Sequence, residues 1–151
     1  MHRWRRSAID DAGSAALEFI TVGVILLVPL IYLVVVVGTI QEQMLGAEAA
    51  SRHIARAIAL APDAASAAAR GDVVLAEVID EYGLDPEAVD LSLSCTPSGV
   101  ECPSAGATII VTVATRVRLP FVPEILALDL STAVPVQAES VQKMSRLWGS
   151  G

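Results

Sequence analysis

From Phe19 to Ile40 the chain carries no charged residue, and 17 of these 22 positions are hydrophobic. At about 1.5 Å per residue, a helix over this run reaches roughly 33 Å, against about 30 Å for the hydrocarbon core of a bilayer. The apolar region of a secretory signal is shorter, and no A-x-A-like cleavage site follows this run. The pattern therefore predicts a transmembrane helix, in which Gly23, Pro29 and Gly38 are tolerable because neighbouring helices re-satisfy the backbone. A helical period continues past the run. Ile40, Met44, Ala47, Ser51, Ile54, Ile58 and Ala61 step alternately by four and three, while Gln41, Glu42, Glu48, Arg52 and Arg56 fall off that stripe. One long helix is expected from about residue 15 to 60, with Pro62-Asp63 ending it. Residues 47–69 hold twelve alanines in 23 positions, a composition that favours helix and close helix approach. A second, shorter helix is expected from Val73 to Tyr82, with Asp72 as its N-cap and Gly83 just past its end. The tripeptide Arg70-Gly71-Asp72 accordingly reads as a turn plus N-cap rather than an adhesion motif.

The period then falls from 3.6 to 2. Apolar and polar residues alternate strictly from Val89 to Ser94. In the next run Ile109, Val111, Val113, Val117 and Leu119 take one face, and Thr112, Arg116 and Arg118 the other. A third run sets Val134, Val136 and Ala138 against Gln137 and Glu139, and its Pro135 marks an edge strand, because proline cannot donate to a ladder. Strands with one apolar face suit an antiparallel sheet covered by a helix. The expected fold class is α+β: a long N-terminal transmembrane helix with an extracytoplasmic extension, a short second helix, and a small antiparallel sheet of about three strands.

Composition narrows the chemistry. The chain has 151 residues, 54% hydrophobic and 18% charged, which argues against disorder and allows one modest domain. Ten Lys+Arg against seventeen Asp+Glu give net −7, the wrong sign for a phosphate-backbone binder, so no nucleic-acid partner is expected. Arg3, Arg5 and Arg6 precede the membrane run, and the next basic residue is Arg52. The positive-inside bias places the N-terminus in the cytoplasm and the rest of the chain across the membrane. Cys95 and Cys102 flank Pro97 and Gly99, and a bond between them would close a loop worth about 2–3 kcal/mol. Zinc competes poorly, since the C-x2-C spacing is absent and the histidines are His2 and His53, the latter read as solvated or packing. A disulfide fits an oxidising compartment.

An enzyme is hard to build from these residues. Lys143 is the one lysine, and neither G-x-S-x-G nor H-E-x-x-H occurs. The acidic residues Asp80, Glu81, Asp85, Glu87 and Asp90 read as a solvated helix end and loop. No catalytic residue, metal, cofactor or small-molecule substrate is expected. Trp4 and Trp148 are expected in mobile ends, and residues 142–151 form the expected tail.

The informative residues open the membrane run: Gly13-Ser14-Ala15-Ala16-Leu17-Glu18-Phe19. A carboxylate costs roughly 2.5–3.5 kcal/mol at the bilayer centre and less near the interface, so Glu18 needs a reason. Ser14 and Glu18 are four apart and share a helix face. A cut after Gly13 would leave a free ammonium on Ser14, which Glu18 of the same or a neighbouring subunit could neutralise.

This stretch resembles the processing site of type IV pilin-like precursors, where a short basic leader ends in Gly and the fifth residue after the cut is Glu, here followed by the aromatic Phe19. Its wording is most similar to TadE-like pseudopilins of tight-adherence (Flp-type) pilus systems. The stretch from Ala49 to Arg56 is similar to the family's A-A-R-x-G-A-R block, with His53-Ile54 in place of its usual Gly-Ala. The cysteine pair, Ile110 to Val113, a Pro-containing crossover and a final strand ending near Glu139 follow the family's C-terminal layout. Acidic Asp10-Asp11 before the cut departs from a purely basic leader.

The resemblance implies a pilin-like chain with a cytoplasmic leader over 1–13 and a membrane helix and extension over 14–61, whose lipid-spanning part is 19–40. A small extracytoplasmic α+β domain would follow over 62–141. It also implies processing at Gly13, Ser14, Glu18 and Phe19, with membrane lipid, a prepilin peptidase and other pilus-assembly subunits as partners at the inner membrane. A bare glycine at the cut allows close backbone approach by the peptidase. Two other readings are an uncleaved single-pass protein with a small outer binding or sensing domain, and a pseudopilin of a related secretion or DNA-uptake system.

Overall fold

A computed structural model describes residues 10–120 and 133–150, with side chains from residue 15 onward. The architecture is α+β: α1 (Asp10–Ala59), α2 (Ala64–Tyr82), β1 (Asp90–Thr96), β2 (Thr108–Arg118) and β3 (Ala133–Lys143). The strands form one antiparallel sheet in the order β1-β2-β3. By contacts the chain divides into two compact units, Met1–Val37 and Gly38–Gly151.

In the first unit α1 is apolar on every side. Leu17, Phe19, Ile25 and Leu26 are 68%, 80%, 63% and 66% exposed. Pro29 sits inside the helix, where it removes one backbone donor. Thr21 Oγ1 donates to the Leu17 carbonyl at 2.7 Å, the four-residue return open to a threonine within a helix.

In the second unit α1 turns amphipathic. Ala47, Ser51, Ile54, Ile58 and Ala61 of the expected stripe are buried, and Ala50 and Ala55 widen it. Met44 breaks the stripe at 47% exposed. Ser51 resolves its polar burial by donating from Oγ to the Glu48 carbonyl at 3.0 Å. These residues share one core with Ala67 and Val78 of α2, Leu84, Ile109, Val111, Val113 and Val117 of β2, Val136 and Ala138 of β3, and Met144.

α2 is nine residues longer at its start than the apolar pattern implied. Its N-cap is Asp63, not Asp72: the carboxylate accepts the Ser66 backbone N–H at 2.8 Å from an extended backbone. Arg70-Gly71-Asp72 therefore lies inside the helix, and the expected turn there is corrected. Gly71 is buried against Ile54 and Ile58, and an added Cβ would meet their side chains at 3.7 and 3.9 Å. The expected stop holds. Gly83 takes φ 59° and the Leu84 N–H reaches back to the Ile79 carbonyl at 3.0 Å. Arg70 Nη1 donates to the Leu60 carbonyl at 3.2 Å, filling an acceptor left open where α1 ends.

The register pairs Leu91 with Val113 and Val113 with Ala138, so the alternating apolar residues share one face as their period required. β3 lies at an edge, consistent with Pro135. It runs past Val141 to Lys143, and the Met144 N–H donates to the Ala107 carbonyl at 2.8 Å. Met144 is 2% exposed, and Trp148 packs against the core rather than lying in a loose end. Cys95 and Cys102 are bonded, with Cα atoms 5.6 Å apart. Trp4, the arginines of the leader and the 121–132 crossover lie outside the described residues.

Candidate functional site

Asp10 to Phe19 all belong to the first turns of α1, so Gly13, Ser14, Glu18 and Phe19 lie on one continuous helical backbone. The four-residue spacing puts Ser14 and Glu18 on one face by helix geometry alone. The side chains of Gly13 and Ser14 lie outside the described set. Glu18 is exposed, and Phe19 next to it is 80% exposed.

These residues head one helix that is long and apolar enough to cross a membrane, near the N-terminus, with none of its apolar window buried. Soluble monomers rarely expose contiguous apolar area beyond a few hundred Å², and such a surface is normally covered by lipid or by another protein.

The second unit offers grooves along its helices and sheet. An apolar groove of about 440 Å³ runs between α1 and α2 over Ala57, Leu60, Val73 and Val74, with Arg70 and Glu77 at its rim. Leu60 and Val73 there are 69% and 57% exposed. Among the described residues no group of three or more His, Cys, Asp or Glu side chains is placed to hold a metal ion. The expected acidic run stays spread along the α2 end and the following loop. Asp85 turns inward on its own loop, accepting the Glu87 N–H at 3.1 Å, and pairs with Arg118 at 3.2 Å. Asp63 is held below the usual carboxylate range by the Ser66 backbone N–H first and by the Ser66 hydroxyl second, which is a cap at work rather than a tuned acid. His53 is exposed, as the solvated reading had it.

Three features escaped the sequence. Gly46 is buried where α1 meets the end of α2, and an added Cβ would lie 3.0 Å from Tyr82 Cβ and 3.1 Å from Leu84 Cδ2. Its isolation in an alanine-rich helix is the signal that could have exposed it, since alanine is the default small residue there. Thr115 sits on the apolar face of β2, 2% exposed, with Oγ1 lacking a hydrogen-bond partner. Its single-methyl resemblance to valine hides it in a Val-rich strand. Arg116 and Arg118 gather beside the first turns of the α1 extension, a placement only tertiary structure creates.

Compared with protein-family models, with curated proteins and with solved structures, the chain matches none.

Proposed function

We propose that the chain is a membrane-anchored, TadE-like pilin-type assembly subunit, cut between Gly13 and Ser14 by a prepilin peptidase. The observation that carries this reading is Gly13-Ser14 and Glu18-Phe19 at the head of a helix whose following apolar surface is entirely uncovered. The function is non-enzymatic. Removal of the leader gives Ser14 a free ammonium, and Glu18 supplies the carboxylate that neutralises one such charge near lipid, where an unpaired charge is costly. The α1 surface is then available to neighbouring pilin-like helices, and the Gly38–Gly151 unit stands outside the membrane, in a compartment that permits the Cys95–Cys102 bond.

The deciding measurement is the N-terminal mass of the protein recovered from its native membrane. A chain beginning at Ser14, a block of that cut by Gly13→Val, and normal cutting but lost assembly with Glu18→Ala support the reading. A chain beginning at Met1 and indifferent to Gly13→Val overturns it in favour of an uncleaved single-pass protein. For that second reading the apolar α1–α2 groove is the natural binding surface.

A further inference from the structure

We propose that Arg116 and Arg118, at the C-terminal end of β2, dock onto the anionic headgroups of the bilayer that α1 crosses. The inference rests on the membrane-crossing part of the reading above and adds a lipid contact to it. The uncharged run of α1 ends at Ile40, and Gln43 follows it by three residues, about 4.5 Å along a helix. A notch of about 180 Å³ is lined by Thr39, Gln43, Gly83, Asp85, Arg116 and Arg118. Both arginines therefore lie beside the turn of α1 that leaves the apolar run. Gln43 Nε2 donates to the Gly83 carbonyl at 3.4 Å, which ties that turn to the end of α2.

The notch itself is richer in positive charge than the chain as a whole, with Asp90 on the other side of Arg116. Two guanidinium groups face one carboxylate at the notch, in a protein of net charge −7. Asp85 takes Arg118 at 3.2 Å while 80% of the Arg118 side chain stays exposed. Arg116 is exposed and forms no ion pair among the described residues. The strand period sets both arginines on the face away from the buried Thr115 and Val117, so the core gives no reason for either. A guanidinium presents a planar fork of donors that matches a phosphate diester, and it is weakly hydrated enough to sit at an interface. Basic side chains held within a Debye length of an anionic surface are attracted to it.

The test uses the full chain in lipid nanodiscs, one set of phosphatidylcholine alone and one containing phosphatidylglycerol, with backbone hydrogen exchange followed at the end of β2. Exchange at Val117 and Arg118 is expected to slow by about tenfold in the anionic discs, an effect removed by high salt. The Arg116→Gln/Arg118→Gln variant is expected to lose the slowing, and Arg116→Lys/Arg118→Lys to retain most of it. Equal exchange in both discs, or slowing that persists in the double Gln variant, overturns the proposal. Slowing reproduced in neutral discs by inorganic phosphate overturns it in favour of a free-anion site. A chain that does not co-migrate with discs overturns the membrane reading itself, whereas a chain that enters the discs and exchanges alike in both overturns the headgroup contact alone.

Discussion

α1 contains two kinds of helix in one continuous backbone. Between Phe19 and Ile40, 13 of 22 residues are Val, Ile or Thr, side chains that lose χ1 freedom in a helix and favour strands in water. Between Ala47 and Ala61 there are seven alanines, the strongest helix formers. Both segments are helical, and on the proposed membrane reading for different reasons. In hydrocarbon each unsatisfied backbone group costs several kcal/mol, so a spanning segment becomes helical whatever its side chains prefer. In water the backbone has an alternative partner, and the second segment needs propensity together with a buried stripe through Ile54 and Ile58, which are 0% and 2% exposed. The comparison teaches that the solvent decides how much intrinsic propensity matters.

The largest effect separates two isoleucines. Ile54→Ala removes a fully buried side chain and is expected to cost about 2–5 kcal/mol in denaturant unfolding of the Gly38–Gly151 unit. Ile25→Ala, at a position 63% exposed, should leave that transition where it is. Equal losses from both would erase the distinction between the segments. Next comes Val28→Arg. It should lower membrane insertion by about 2.5–3.5 kcal/mol, read from the fraction resisting alkaline extraction, without altering the unfolding of the Gly38–Gly151 unit.

The glycines of α1 sharpen the contrast further. At Gly46 a Cβ would lie 3.0 Å from Tyr82 Cβ, so Gly46→Ala should destabilise the Gly38–Gly151 unit by about 1–3 kcal/mol. At Gly38, inside the apolar run, an added Cβ meets nothing within 4 Å, and Gly38→Ala should leave that unit's unfolding transition where it is. Thermal unfolding of the two variants side by side separates close packing from open space.

The smallest effect concerns Asp63, whose cap starts the helix that covers the second segment. Its carboxyl is held low in the folded protein, so its contribution is present above the unfolded value of about 3.9 and is lost as pH falls through the lower folded value. Asp63→Asn keeps a capping oxygen and should flatten the acid limb of the stability curve relative to the unsubstituted protein, a difference measurable by unfolding between pH 2 and 5. An unchanged acid limb would remove the carboxylate from this role.

The elements were legible where side-chain period and chemistry agreed. The α1 extension declared itself through Ala47, Ser51, Ile54 and Ile58, the strands through alternation in β2, and the end of α2 through Gly83. The start of α2 was hidden because Ala64 to Ala69 signal propensity but no face, while Gly71 has the look of a breaker. In place, that glycine lets α2 approach Ile54 and Ile58 of α1. At the candidate site, spacing alone related Ser14 to Glu18, since a helix converts four residues into one face. The meeting of Thr39 and Gln43 with Arg116 and Arg118 was invisible, because residues over seventy positions apart are joined there only by tertiary packing.

Among the described residues the sheet ends in two edges of unequal character, β1 and β3. β3 carries Pro135, which cannot donate a backbone hydrogen bond, whereas β1 presents seven residues without a proline. Where many copies crowd in one plane, strand addition is a hazard, and a sheet open on both sides can polymerise without limit. With the β3 edge blunted, two copies that meet through β1 use up the proline-free edge of each, which favours a closed pair over a propagating fibre.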